Sequence, residues 1–190
     1  MANNSNNVST GRPKVGGAVY RAPLGTALPT DATTALNTAF QCLGYLSEDG
    51  LKQETTRDSD EIKAWGGDVV DQPQTDFKDT FSGTFIESLN AEVLKANFGN
   101  ANVTEDPETG TIKVRCNSAE LDYMAYVIEL ALKNGGIKRI VYAQAKPTES
   151  GEITYNNSDA IGYELTFGAV ASDALGGDTH VEYIKKGASK

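Results

Sequence analysis

The stretch "MAYVIELALKNGGIKRIVYAQA", Met124 to Ala145, limits the chain more than any other. Met124, Tyr126, Ile128, Leu130 and Leu132 occupy every second position, so in extended backbone all five leave on one face. Ser118 upstream and Asn134-Gly135 downstream would also serve as the cap and stop of a helix. Strand geometry explains more: the alternation is unbroken, and Asn-Gly ahead of the β-rich "IKRIVYA" is the sequence of a tight hairpin turn.

Other segments follow the same period. "TDFKDTFSGTFIES" puts Thr75, Phe77, Asp79, Phe81, Gly83 and Phe85 on a half-buried face, with Asp76, Lys78, Thr80, Ser82 and Thr84 on a wet one. "AIGYELTFGAV" (Ala160 to Val170) aligns Ile161, Tyr163, Leu165 and Phe167, and is expected to pair with "THVEYIK" (Thr179 to Lys185) across the loop "ASDALGGD". "KVGGAVYRAP" reads as a short strand stopped by Pro23, and "FQCLGYL" (Phe40 to Leu46) as another, closed by Glu48, Asp49 and Gly50. Between them lies a turn-rich segment in which Thr30 or Asp31 can cap one helical turn. The clearest helix is "SLNAEVLKANFGN", with Ser88 or Asn90 as N-cap, Leu89, Val93, Leu94 and Ala96 as its apolar contacts and Gly99 as its stop. About six to eight strands and one short flanking helix make a mainly β chain, a β-sandwich or barrel.

The chain has 190 residues, enough for one substantial core, so a single domain is expected over residues 14–190. Residues 1–13, rich in Asn and Ser, read as a flexible N-terminal arm. Residues 47–74 lack a core pattern and read as a long projecting loop or ribbon, which contains Trp65, the chain's single tryptophan. The formal charge of −9 argues against a protein that grips phosphate backbones. No secretory signal or membrane span is recognisable, so synthesis in a cytoplasm is expected, with the sequons at Asn3, Asn7, Asn102 and Asn156 as chance matches and Cys42 and Cys116 as thiols.

Reactive constellations are missing from the sequence. The one histidine, His180, falls in an expected edge strand without a Gly-x-Ser-x-Gly elbow, and two distant cysteines with one histidine do not make a zinc set. Asp58, Asp60 and Glu61 lack the glycine and distal glutamate of a helical calcium loop, and there is no phosphate-binding glycine loop. Neither an enzyme nor a cofactor is expected; the composition suits an assembly subunit.

"GGAVYRAPLGTALPTDATTALNTAFQCLGYLSEDGL", Gly16 to Leu51, resembles the opening of the major tail tube proteins of long-tailed bacteriophages. The likeness is carried by Ala18, Val19, Tyr20, Ala22, Pro23, Gly25, Leu28, Pro29 and Asp31, then by Leu43, Gly44, Tyr45, Ser47, Asp49 and Gly50. It continues through Glu61, Ile62, Ala64, Trp65, Gly66 and Val69 to the aromatic strand at Phe77 and Phe81, and more loosely through "KRIVYA" and "YELTF". It departs where Tyr142 follows Val141 and the proline comes only at Pro147.

The resemblance implies a tail tube β-sandwich whose sheet joins those of neighbours in a hexameric ring, with rings stacked into a hollow tube that conducts DNA without binding it. Its implied partners are further copies of the chain and the tape measure, tail tip and tail terminator proteins, with no membrane, and its implied place is the virion tail. Within that scheme Trp65, Ile62, Val69, Val70, Arg12 and Lys14 are the candidate inter-subunit contacts, and Asp76, Asp79, Glu129, Glu164 and Glu182 the candidate lumen-facing acids. Trp65 either anchors the projecting loop on a neighbour or folds back on its own sandwich. The alternative from another class is a β-sandwich carbohydrate-binding or adhesin-like module, which would gather the chain's tyrosines on one face.

Overall fold

The structure, a computed structural model, describes residues 3–188. Nine strands form one antiparallel sheet: β1 (Arg12–Pro13), β2 (Val19–Pro23), β3 (Gln41–Cys42), β4 (Leu46–Ser59), β7 (Gln74–Phe85), β10 (Met124–Ala131), β11 (Ile137–Ser150), β12 (Tyr163–Ala169) and β13 (Val181–Lys185). Two small hairpins stand outside it, β5 (Ile62–Lys63) with β6 (Val69–Asp71), and β8 (Val103–Asp106) with β9 (Thr111–Val114). One α-helix, α1 (Ala91–Phe98), completes the mainly β fold expected from the sequence.

The sheet runs in the order β3-β2-β10-β11-β12-β7-β4. In a flat sheet β10 and β7, three places apart, would lie about 14 Å from each other. Yet the Phe81 ring on β7 is 5.5 Å from Tyr126 on β10, 4.6 Å from Tyr142 on β11 and 4.5 Å from Phe167 on β12. The sheet is therefore curled around these rings, and the sandwich is one sheet rolled toward closure.

The β10–β11 hairpin forms as the alternation requires. Asn134 (φ 58°) and Gly135 (φ 76°) take the left-handed conformation that this dipeptide tolerates, and Leu132 N–H donates to Gly136 O at 2.7 Å to close the turn. Tyr126 and Ile128 enter the inner core, whereas Ala125 and Val127 on the opposite face join a second buried cluster with Ala22, Phe40 and Val141. The polypeptide from 24 to 40 covers that face. It forms no helical turn: the Asp31 carboxylate accepts from the Thr33 and Thr34 amides, at 2.5 and 2.7 Å, and holds a bend.

The α1 helix starts at Asn90, whose side chain accepts from the Glu92 amide, and ends at Gly99 (φ 98°). Val93, Leu94 and Ala96 face the core, but Leu89 is 84% exposed because it precedes the cap. Buried Arg21 on β2 fastens the helix to the sheet through Glu92 (2.9 Å) and Asn100 (2.7 Å).

Several expectations change. β12 and β13 do not pair with each other; they lie end to end along β11, β12 beside Ala145–Ser150 and β13 beside Ile137–Val141. The strand at Phe40 breaks at Gly44 (φ 72°), and Glu48, Asp49 and Gly50 form a bulge within β4, where the register jumps from Leu46↔Phe85 to Leu51↔Gly83. Strand β11 continues through Pro147, which sits opposite Phe167. The N-terminal arm is tied at its end: Arg12 and Pro13 pair with Ala131 and Leu130, and Lys133 N–H donates to Ser9 Oγ at 2.8 Å.

Candidate functional site

Of the two forms expected for residues 47–74, a projecting loop or a ribbon, the structure has an antiparallel ribbon. β4 and β7 stay paired from Leu51↔Gly83 out to Ser59↔Gln74, and beyond that pair the chain crosses to the β5–β6 hairpin, with Asp60 N–H donating to Pro73 O at 3.1 Å. The tip turns at Ala64–Gly67, closed by Ala64 N–H on Asp68 O (2.8 Å) and Gly67 N–H on Ala64 O (2.9 Å). Gly67, at φ 93°, supplies the conformation that this turn needs.

Among the described residues no side chain covers Trp65 at this tip. Trp65 is 106% exposed, and Ile62, Val69 and Val70 are exposed beside it. Around them stand Asp58, Asp60, Glu61, Asp68 and Asp71, all exposed, with Lys63 paired to Glu61 at 3.1 Å. Lower on the ribbon Arg57 lies over the Phe77 ring at 4.5 Å. The arm thus carries an apolar knob inside an acidic rim, an arrangement that can bind a surface.

At the root of the arm Asp79 is fully buried. Its Oδ2 accepts from Thr179 Oγ1 and from His180 Nδ1, both at 2.5 Å, while the imidazole's Nε2 meets the Gln53 side chain on β4 at 3.1 Å and the Tyr142 ring lies tilted beside it at 5.1 Å. The bond to Asp79 raises the His180 pKa above its ordinary value against the opposing effect of burial. Thr179 gives its hydroxyl to the same carboxylate, and with the two ring nitrogens on Asp79 and Gln53 neither bonds a hydroxyl among the described residues. The cluster ties the β12–β13 connection to both strands of the arm.

The acids nominated for a lumen divide. Asp79 is excluded by its burial. Glu129 is also buried, and is paired with fully buried Arg139, whose Nε lies at 3.0 Å, and with Lys14 Nζ at 2.9 Å. Arg139 also donates to the carbonyls of Asp31 (2.6 Å) and Thr34 (2.8 Å), clamping the 24–40 segment onto the sheet. Lys14 is therefore engaged inside its own chain, while Arg12 is exposed on β1. Asp76 and Glu182 remain solvent-accessible but paired, with Lys78 at 3.2 Å and Lys138 at 2.7 Å, and Glu164 is exposed on β12. The Lys78 bond lowers the Asp76 pKa.

Sequence reasoning missed Arg21, Arg139 and the Asp79–His180 cluster. One signal was present: Arg139 shares its face with Ile137 and Val141, and Glu129 with Ala125 and Val127, so opposite charges occupy apolar positions on neighbouring strands. Tyr126, Tyr142 and Tyr163 are buried, which removes them from any sugar-stacking surface. Cys42 and Cys116 are free thiols, and no described helix is long and apolar enough to cross a membrane.

Residues 1–189 match the model of the phage tail tube protein family, and the chain belongs to that family. It is thus a structural subunit of a phage tail, and its place is the virion tail. No curated protein matches it.

Proposed function

We propose that this tail tube subunit closes into hexameric rings, that the rings stack into a hollow tube, and that DNA passes through the lumen without specific binding. The observation that carries the reading is the arm: a monomer that leaves Trp65, Ile62, Val69 and Val70 in water gains most by burying them on another chain, and buried aromatics dominate interface energy. Strand β4 adds a second invitation to pair, because it ends the sheet and has no neighbour on its outer side among the described residues. The tape measure, tail tip and tail terminator proteins are the partners that such a tube requires at its interior and ends.

Glu164 and Asp76, which share one face of the sheet, are assigned to the lumen wall, where acidic charge leaves no counterion-release gain to hold DNA; Glu182 lies opposite Ile140 on the other face and leaves the set. Lysines at these positions should leave tubes intact and slow ejection; ejection at the native rate would remove the acids from the conduit's function. The tube itself is tested by negative-stain microscopy of concentrated protein, with and without a tail-tip complex as seed. Hollow tubes with annular end views are expected. A protein that stays a compact monomer in both samples contradicts the proposal.

A further inference from the structure

A cleft of about 420 Å³ opens between the β10–β11 turn and the C-terminal end of β13, with residues of the N-terminal segment along one side. Leu132, Ile184 and Ala188 give it an apolar lining, and Lys133 and Lys186 stand at it with no acid among the lining residues. Ile184 is 56% exposed, a large apolar side chain left mostly in water. Lys185 adjoins the cleft, and among the described residues neither it nor Lys133 nor Lys186 forms an ion pair.

These features complement the tip of the arm. The tip is an apolar knob with five acids and one lysine between Asp58 and Asp71; the cleft is an apolar hollow whose rim lysines have no ion-pair partner among the described residues. The volume lies in the range of pockets that enclose a small organic molecule, which leaves room for an indole together with its neighbours. Opposite charge around a matched apolar centre gives an interface both steering and register.

Topology decides which way the two can meet. β12 is antiparallel to both β11 and β7, so β11 and β7 run in the same direction. The β10–β11 turn precedes β11 and the arm tip precedes β7, which puts cleft and knob at the same end of the sheet. Two copies in the same orientation therefore bring knob and cleft together side by side, not end to end. Because knob and cleft are different patches of one chain, each contact leaves one of each unused and the pattern repeats until a ring closes.

We propose that the Trp65 tip of one copy seats in the Leu132–Ile184 cleft of a second copy standing beside it, with Asp60 and Asp68 facing Lys133 and Lys186. The proposal rests on the reading of the arm as an inter-subunit contact and names the surface that receives it.

The chain's single tryptophan reports on itself. In dilute full-length protein its emission should be that of a water-exposed indole, and it should move to the blue as concentration rises and tubes form. The Lys133→Glu/Lys186→Glu variant, with monomer melting at the wild-type temperature, should lose the blue shift and the tubes at concentrations where the wild type shows both. Adding Asp60→Lys/Asp68→Lys to the same chain should restore them. If the lysine variant shifts and assembles like the wild type, or the charge swap restores nothing, the cleft is not the receptor. In that case the arm contact itself survives provided that Trp65→Ala still blocks assembly. Wild-type tubes with unshifted emission would overturn both, as would a protein that never associates.

Discussion

Phe81 and Trp65 stand sixteen residues apart on the same hairpin and meet opposite fates. Phe81 is 1% exposed, stacked on Phe167 and edge-on to Tyr126 inside the curl of the sheet; Trp65 is 106% exposed at the tip. One ribbon thus begins in the core of the subunit and ends beyond it. Aromatic character alone did not decide which ring folds the monomer. The difference is sheet depth: Phe81 has β12 on one side and β4 on the other, and aromatic neighbours across the curl, whereas Trp65 sits in a four-residue turn of a two-stranded hairpin that has no layer against it. The root is built to specify the fold, and the tip adds nothing to the subunit's core.

The largest effect should come at the root. Phe81→Ala should cost the monomer about 3–5 kcal/mol, because it opens a cavity where four strands converge. Chemical denaturation of the dilute protein measures it, and a loss below about 1 kcal/mol would show that the curl collapses freely around the site. Glu129→Ala should be comparable, about 3–5 kcal/mol, because it strands the Arg139 charge in a buried place. Its exposed counterpart Glu164→Ala should stay within about 0.5 kcal/mol. Equal effects for the two glutamates would erase the distinction between buried, paired acids and exposed ones.

A smaller effect is expected from pH. His180 has its pKa raised by Asp79 and, more weakly, by Glu182, with desolvation and Lys138 opposing, and Tyr142 and Gln53 complete its surroundings. Stability from this contact is fully present below the unfolded histidine value of about 6.5 and is lost as pH rises through the higher folded value. The melting temperature of the dilute monomer should therefore fall across that window, and His180→Gln should flatten the fall. An unchanged profile in the variant would assign the pH dependence to other groups and free the arm root from this latch.

What was legible in the sequence was local. The β10–β11 hairpin, the faces of β7 and the α1 helix with its Asn90 cap were readable because period, turn dipeptide and cap each act within a few residues. The 24–40 strap was not, because it lacks regular hydrogen bonding and is held by Arg139, more than a hundred residues away. The β12–β13 pairing was misread for a related reason: two strands joined by a short loop suggest a hairpin, but long β11 offers both of them one continuous edge. For Asp79 and Glu129, alternation gave the face of the strand and nothing about what covers that face. Trp65 was recognisable as unusual from its acidic, glycine-flanked surroundings, and the structure sets its side chain in water.

The central claim, that the arm tip serves a neighbour and not its own core, is tested most directly by Trp65→Ala read in two ways on one preparation. Monomer stability should change by no more than about 0.5 kcal/mol, while tube growth from concentrated or seeded protein is abolished or strongly delayed. A variant that melts far below the wild type as a monomer, or one that forms tubes at the native rate, would contradict the account.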